Sequence, residues 1–232
     1  MRLMNTQQLS DNIAKVRLRV RESAEKCQRL PETISVLAVS KTRSADAVAA
    51  ALDCGMRRFG ENYLQEALEK IEQLAGRGIE WHFIGPIQSN KTRSIATHFD
   101  WAHSVDREKI ARRLSEQRPD ELPPLQICLQ VNISGEVSKS GVLPEEVPAL
   151  ANAIADLPGV KLRGLMAIPA ATDDIAEQHA AFKKLREVFD ELNANGAGLD
   201  TLSMGMSGDM EAAIAEGATI VRIGTDIFGP RQ

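Results

Sequence analysis

Eight short runs with strand character recur along this chain, and a stretch with helical spacing lies between each consecutive pair. The runs are 34–41 (ISVLAVSK), 57–62 (RRFGEN), 79–85 (IEWHFIG), 101–105 (WAHSV), 125–133 (LQICLQVNI), 161–168 (KLRGLMAI), 201–205 (TLSMG) and 220–224 (IVRIG). Several are continuously apolar and rich in Val and Ile, as strands covered on both faces should be. Strands joined through helices run parallel, with right-handed crossovers. Eight such units within 232 residues are the count and size of a single α/β domain, a (β/α)8 TIM barrel. An open doubly wound sheet is the structural alternative. No G-x-G-x-x-G follows the first run, which removes one specific argument for it.

The helical stretches carry their own punctuation. Residues 44–54 open on Ser44, a good N-cap, and stop at Gly55. Residues 63–75 align Leu64, Leu68 and Ile71, and 106–117 align Ile110 and Leu114. Residues 144–156 place Pro144 at a first helical position. Residues 174–193 carry Phe182, Leu185, Val188, Phe189 and Leu192, and 208–216 end at Gly217. Residues 90–98 form a short helix after Ser89-Asn90-Lys91. Before the first strand, Leu9, Ile13, Val16, Val20, Ala24 and Cys27 make a helical stripe. Residues 1–30 are therefore expected to supply an extra helix packed on the barrel, not a transit peptide. No linker divides the chain, and Pro123-Pro124 marks a turn.

Composition excludes several classes. A formal charge of −4 argues against a dedicated nucleic-acid binder. No apolar run approaches the ~20 residues that span a bilayer, so no membrane partner is expected. Three cysteines with no CxxC pair suit a reducing, cytoplasmic setting rather than a disulfide framework. Four histidines without HExxH spacing leave no metal motif.

In such barrels chemistry sits where the strands end at their C-terminal edge. The first run ends in Lys41, the second in Glu61-Asn62, the sixth near Met166. The seventh leads into Gly205-Met206-Ser207-Gly208 and the eighth into Gly224-Thr225. Loops after strands seven and eight often bind phosphate in this architecture. Ser207-Gly208 would open a helix whose N–H groups and dipole favour an anion. Plain capping by Ser207 is the alternative, and Asp209 and Glu211 would satisfy the same dipole. Arg222 shares a face of its strand with Ile220 and Gly224. If that face is the barrel interior, the guanidinium requires a partner, a salt bridge to a neighbouring strand being the ordinary case. At an ordinary pKa near ~10.4, about one lysine amine in a few thousand is neutral at pH 7. Desolvation lowers that value, so Lys41 is either an anion contact or a Schiff-base nucleophile. Lysine, phosphate pocket and inward arginine together fit a phosphorylated aldehyde, and a sugar-phosphate aldolase fits the same spacing.

Seven motifs, LAVSKT, FGENYLQE, WHFIGPIQSNK, VNISGEVSKSG, RGLMAIP, LSMGMSGDMEAAI and VRIGTDIFG, span most of the chain. In that order they resemble the YggS/PROSC family of pyridoxal 5′-phosphate (PLP) homeostasis proteins. The resemblance implies the barrel of fold-type III PLP proteins, shared with the N-terminal domain of alanine racemase. It implies that Lys41 holds PLP as a Schiff base and that Arg222 faces the pyridine nitrogen. Ser207, Gly224 and Thr225 match phosphate-binding positions, with Met206 beside them. Asn62 and Met166 match residues lining the ring pocket, and Lys139 matches a lysine on the loop after strand five. Asp226 departs from the family pattern, which has a small apolar residue there; an outward-turned carboxylate is expected.

The resemblance leaves two functional readings. A carrier or regulator would hold PLP without turnover and supply apoenzymes that need it. A small PLP-dependent amino-acid racemase would need an acid/base group opposite Lys41, and Tyr63 is the only tyrosine. A monomer is expected, because the racemase domain that builds a dimer has no counterpart here.

Overall fold

The structure is a computed structural model that describes residues 6–135 and 140–230. Eight parallel strands close into a barrel in chain order: β1 (Ser35–Val39), β2 (Arg58–Glu61), β3 (Glu80–Phe83), β4 (Trp101–Val105), β5 (Leu125–Gln130), β6 (Val160–Met166), β7 (Thr201–Ser203) and β8 (Ile220–Ile223). β8 closes on β1 with Leu37 opposite Arg222. The barrel reading therefore holds, and the open-sheet alternative falls. No helix of the described residues is long and apolar enough to cross a membrane.

Around the strands lie α1 (Thr6–Lys26), α2 (Ala45–Asp53), α3 (Leu64–Gln73), α4 (Thr92–His98), α5 (Glu108–Glu116), α6 (Val147–Ile154), α7 (Ile175–Ala194), α8 (Met210–Ala215) and α9 (Thr225–Phe228). Alternation sorts each strand into two faces. Outward residues such as Ala38, Phe59, Phe83, Ile127 and Val221 join the helices in one large apolar core. Leu9, Ile13, Val16, Val20 and Ala24 of α1 belong to that same core, which is why the N-terminal stripe is apolar. Cys27, at the end of the expected stripe, lies past the helix and is half-buried.

Several boundaries differ from the pattern-based expectation, and three of them have a clear local reason. The helix expected from Pro144 begins as a 3-10 turn over Pro144–Glu146, and the α-helix starts at Val147. Pro148 has no N–H to bond back to residue 144, so the first turn closes through Val147 N–H and the Pro144 carbonyl. Strand one stops at Val39 rather than Lys41, because Thr42 takes a left-handed φ of 63° and turns the chain. The helix expected from Gly208 starts only at Met210. Ser207 does not cap it; Asp209 Oδ1 instead accepts from the Met206 N–H and closes a turn ahead of the helix.

Candidate functional site

The barrel brings the C-terminal ends of β1, β2, β6, β7 and β8 to one rim. Val39 pairs with Gly60, so Lys41 and Asn62, two residues further along each strand, leave the ladder at the same level. Gly224 backs onto β1, where a Cβ would meet the Val39 carbonyl oxygen at 3.4 Å. The chain after β7 returns toward β8, with the Arg222 N–H bonded to the Gly205 carbonyl at 2.9 Å. Gly205 is required there: its φ is +91°, and a Cβ would lie 2.5 Å from the Ala213 Cβ. Thr225 opens α9 directly after β8. Met206 is exposed, whereas Met166 is buried against Trp101 and Cys128. Lys139 lies outside the described residues.

Lys41 is partly buried at the lip of β1. Its two chain neighbours are tied down by a buried ion network that the sequence reading missed. Lys70 Nζ of α3 donates to the Ser40 carbonyl, to Glu61 Oε1 and to Glu66 Oε1, each at 2.8 Å. Ser40 Oγ donates to Glu61 Oε1, and Glu66 Oε1 accepts from the Thr42 N–H. Glu61 is fully buried and its Oε2 has no hydrogen-bond partner among the described residues. Burial pushes its carboxyl above the ordinary range, against the pull of Lys70. The available signal was the i,i+4 pair Glu66 and Lys70, which reads equally well as an exposed helix pair.

Arg222 is only 4% exposed. Its guanidinium donates to the Ser203 carbonyl (2.6 Å), Ser203 Oγ (2.9 Å) and the Ala167 carbonyl (2.8 Å). The expected interior position is correct, but the partners are neutral oxygens, not the carboxylate of an interstrand salt bridge. Burial lowers the guanidinium pKa to about 10, opposed by the charge of Asp209. The group stays protonated at neutral pH.

Of the two acidic residues that complicate the anion reading, Asp209 accepts from the Met206 N–H and Glu211 is held on α1. Glu211 pairs with Arg19 of α1, as does Asp226, so Asp226 turns outward to the N-terminal helix. Arg19 also donates to the Ser207 carbonyl at 3.1 Å, pinning the β7–α8 loop to α1. Burial raises the Asp209 carboxyl. Space remains in the loop: a Cβ on Gly208 would meet nothing within 4 Å.

These features define a single (β/α)8 barrel whose C-terminal rim carries a lysine after β1, an inward arginine on β8 and small residues after β7 and β8. The family model described as alanine racemase, N-terminal domain, matches residues 5–232. The chain is 64% identical over 224 residues to the pyridoxal phosphate homeostasis protein of Pseudomonas aeruginosa, covering 97% of this chain and 96% of that one. It is 53% identical over 227 residues to the protein of the same name from Escherichia coli K12, covering 97% of each. The chain belongs to this family of pyridoxal phosphate homeostasis proteins, built on the alanine racemase N-terminal domain. Among solved structures, PipY of Synechococcus elongatus with PLP bound is 37% identical with a TM-score of 0.80, covering 95% of this chain and 100% of that one. Alanine racemase from Corynebacterium glutamicum shares the fold at 17% identity, with a TM-score of 0.73 and 63% of its length covered.

Proposed function

We propose that this protein binds PLP, holds it covalently through Lys41, and serves cofactor homeostasis rather than turnover. The observation that carries the reading is the placement of Lys41, Asn62, Arg222, Gly224 and Thr225 at one rim, in a chain whose relatives are named for PLP homeostasis. The residues present fit the group. Asn62 Oδ1 is a buried acceptor with no partner among the described residues, aligned in register with Lys41. Met166 supplies a buried apolar wall, and Met206, Ser207, Gly224 and Thr225 supply small or hydroxyl-bearing turns for phosphate.

PLP, when bound, supplies an aldehyde. Lys41 would hold the group covalently through its Nζ amine. The anchored Ser40 carbonyl and Thr42 N–H hold the backbone of Lys41 still on either side. Arg222 would face the ring nitrogen, and its positive charge would keep that nitrogen unprotonated, leaving the ring a poor electron sink. Tyr63 sits at the start of α3 and is 56% exposed, a poor position for a buried acid/base. Both points favour carriage over racemisation. Cys27, Cys54 and Cys128 are free thiols, in keeping with a reducing, cytoplasmic setting.

The test is chemical. Purified protein mixed with PLP is reduced with borohydride and its peptides are mapped. A pyridoxyl adduct on Lys41 is expected, and Lys41→Ala should retain weaker non-covalent binding. An adduct only at other lysines would refute the assignment. Robust amino-acid racemisation by the pure protein would refute carriage.

A further inference from the structure

A chain of polar groups, buried except at its Glu80 end, crosses the barrel interior and ends on Arg222. Glu80 Oε1 and His82 Nε2 are 2.8 Å apart, His82 Nδ1 and His103 Nε2 are 2.8 Å apart, and His103 Nδ1 and Ser203 Oγ are 2.8 Å apart. Ser203 Oγ then accepts from Arg222 at 2.9 Å. His103 is on β4 and Ser203 on β7, strands that are not neighbours in the barrel, so this bond spans its interior. His82, His103 and Ser203 are each fully buried. His82 is further held by stacking on Trp101, with ring centroids 5.4 Å apart and planes at 9°.

Donor and acceptor chemistry leaves this chain one direction. A guanidinium can only donate, and an ionised carboxylate can only accept. The bond from His82 holds the Glu80 carboxyl below its ordinary range, so Glu80 is ionised. Burial lowers both histidines, His103 well below its ordinary range, so both rings are neutral and each carries one proton. His82 must then place its proton on Nε2, toward Glu80, leaving Nδ1 to accept from His103 Nε2–H. His103 Nδ1 in turn accepts from the Ser203 hydroxyl, whose lone pairs receive Arg222.

We propose that Ser203, His103 and His82 are positioning residues that form a one-way hydrogen-bond chain, Arg222 to Ser203 to His103 to His82 to Glu80, locking the guanidinium that faces the cofactor. The far end opens on the opposite mouth of the barrel. There a cavity of about 640 Å³ is lined by Arg58, Glu80, Trp101, Arg163 and Asp200. Glu80 also pairs with Arg58 at 3.0 Å, so the chain terminates on an ion pair at that mouth. The two mouths are thereby joined through hydrogen bonds. The role assigned to Arg222 rests on the PLP reading above; the direction of the chain does not.

The test separates the two. Nitrogen NMR of histidine-labelled protein without PLP should show His82 and His103 both neutral at pH 7 and both protonated at Nε2. A proton on Nδ1 of either ring, or an imidazolium, would overturn the chain whatever PLP does. With PLP added, the His103 and His82 signals should move. Ser203→Ala should mix the His103 tautomers, abolish the PLP-induced shift at His82 and weaken PLP binding about tenfold, the loss of one hydrogen bond to a charged group. Ser203→Thr keeps the hydroxyl and should restore all three, which a loss of packing alone would not predict. Wild-type PLP affinity and a wild-type His82 response in Ser203→Ala would overturn the positioning role while leaving the Lys41 adduct intact. Failure of the wild-type protein to take up PLP would instead sink the cofactor reading and, with it, the role of Arg222.

Discussion

Replacing Lys70 with methionine isolates the network behind Lys41. The ammonium lies 2.8 Å from Glu61 Oε1, and both side chains are almost wholly buried. At an effective dielectric of 20 that contact is worth about 6 kcal/mol of gross attraction, most of it spent against desolvation. Lys70→Met leaves Glu61 two ways out. It can stay charged and uncompensated, or it can protonate. Protonation at pH 7 costs about 3.4 kcal/mol, at about 1.36 kcal/mol for each pH unit above its ordinary pKa of 4.5. That caps the charge penalty. The Ser40 carbonyl also loses a charged donor, so the total should be about 3–5 kcal/mol, the usual cost of breaking a buried pair. The pH dependence has a definite sign. Glu61 has a raised folded pKa, so the native state binds more protons than the unfolded chain above pH 4.5, and stability falls as pH rises toward the folded pKa. The variant raises that pKa further, so its deficit against wild type should shrink by up to about 2 kcal/mol between pH 7 and pH 5.5. Urea unfolding at the two pH values measures both effects. Glu61→Gln combined with Lys70→Met should recover most of the stability, because the uncompensated charge is gone. A single variant within about 1 kcal/mol of wild type, or a deficit that grows on acidification, would refute the reasoning.

Two further outcomes follow from packing. A Cβ on Gly164 would fall 1.7 Å from the Thr201 carbonyl oxygen in the β6–β7 ladder, so Gly164→Ala should cost more than about 3 kcal/mol in urea unfolding, whereas Gly208→Ala, open on all sides, should not destabilise the fold. Burial pushes the Cys128 thiol up to about 12, so a disulfide reagent should label Cys27 and Cys54 in the native protein and Cys128 only after denaturation; rapid native labelling of Cys128 would contradict its burial.

Local pattern was enough for the barrel and for the rim. An apolar run broken by Lys41 and a strand alternation that turns Arg222 inward are both features of neighbouring residues, and both are legible in the chain. The helix starts were less so. Ser207 looks like a cap by residue type, yet the Asp209 side chain takes the Met206 N–H and delays the helix by two residues. Pro148 overrides the signal of Pro144 four residues earlier. The deeper misses are tertiary. Lys70 matches an ordinary exposed helix position until α3 is docked on the end of β1. His103 and Ser203 are 100 residues apart and meet only because the barrel closes.

The interior of this barrel is divided, and the division has a physical reason. Leu37, Ile84 and Ile220 fill one side with apolar atoms, as barrel interiors usually are filled. Trp101, Cys128 and Met166 form a second inward apolar group, and His82, His103, Ser203 and Arg222 bring polar groups into the same interior. A buried guanidinium needs partners, and a carboxylate beside it would satisfy it most simply. Such a carboxylate would also cancel its charge and compete for its N–H groups. Carbonyls and a hydroxyl satisfy the donors while leaving the positive charge in place. The hydroxyl needs an acceptor of its own, and a histidine accepts from it while passing the requirement onward. Two neutral rings carry that requirement across the barrel to Glu80, where solvent and Arg58 can bear the negative charge. The hydrogen-bonded end of the chain from Arg222 is thus placed at the opposite mouth on Glu80, while the Asp209 charge acts on the guanidinium only through space.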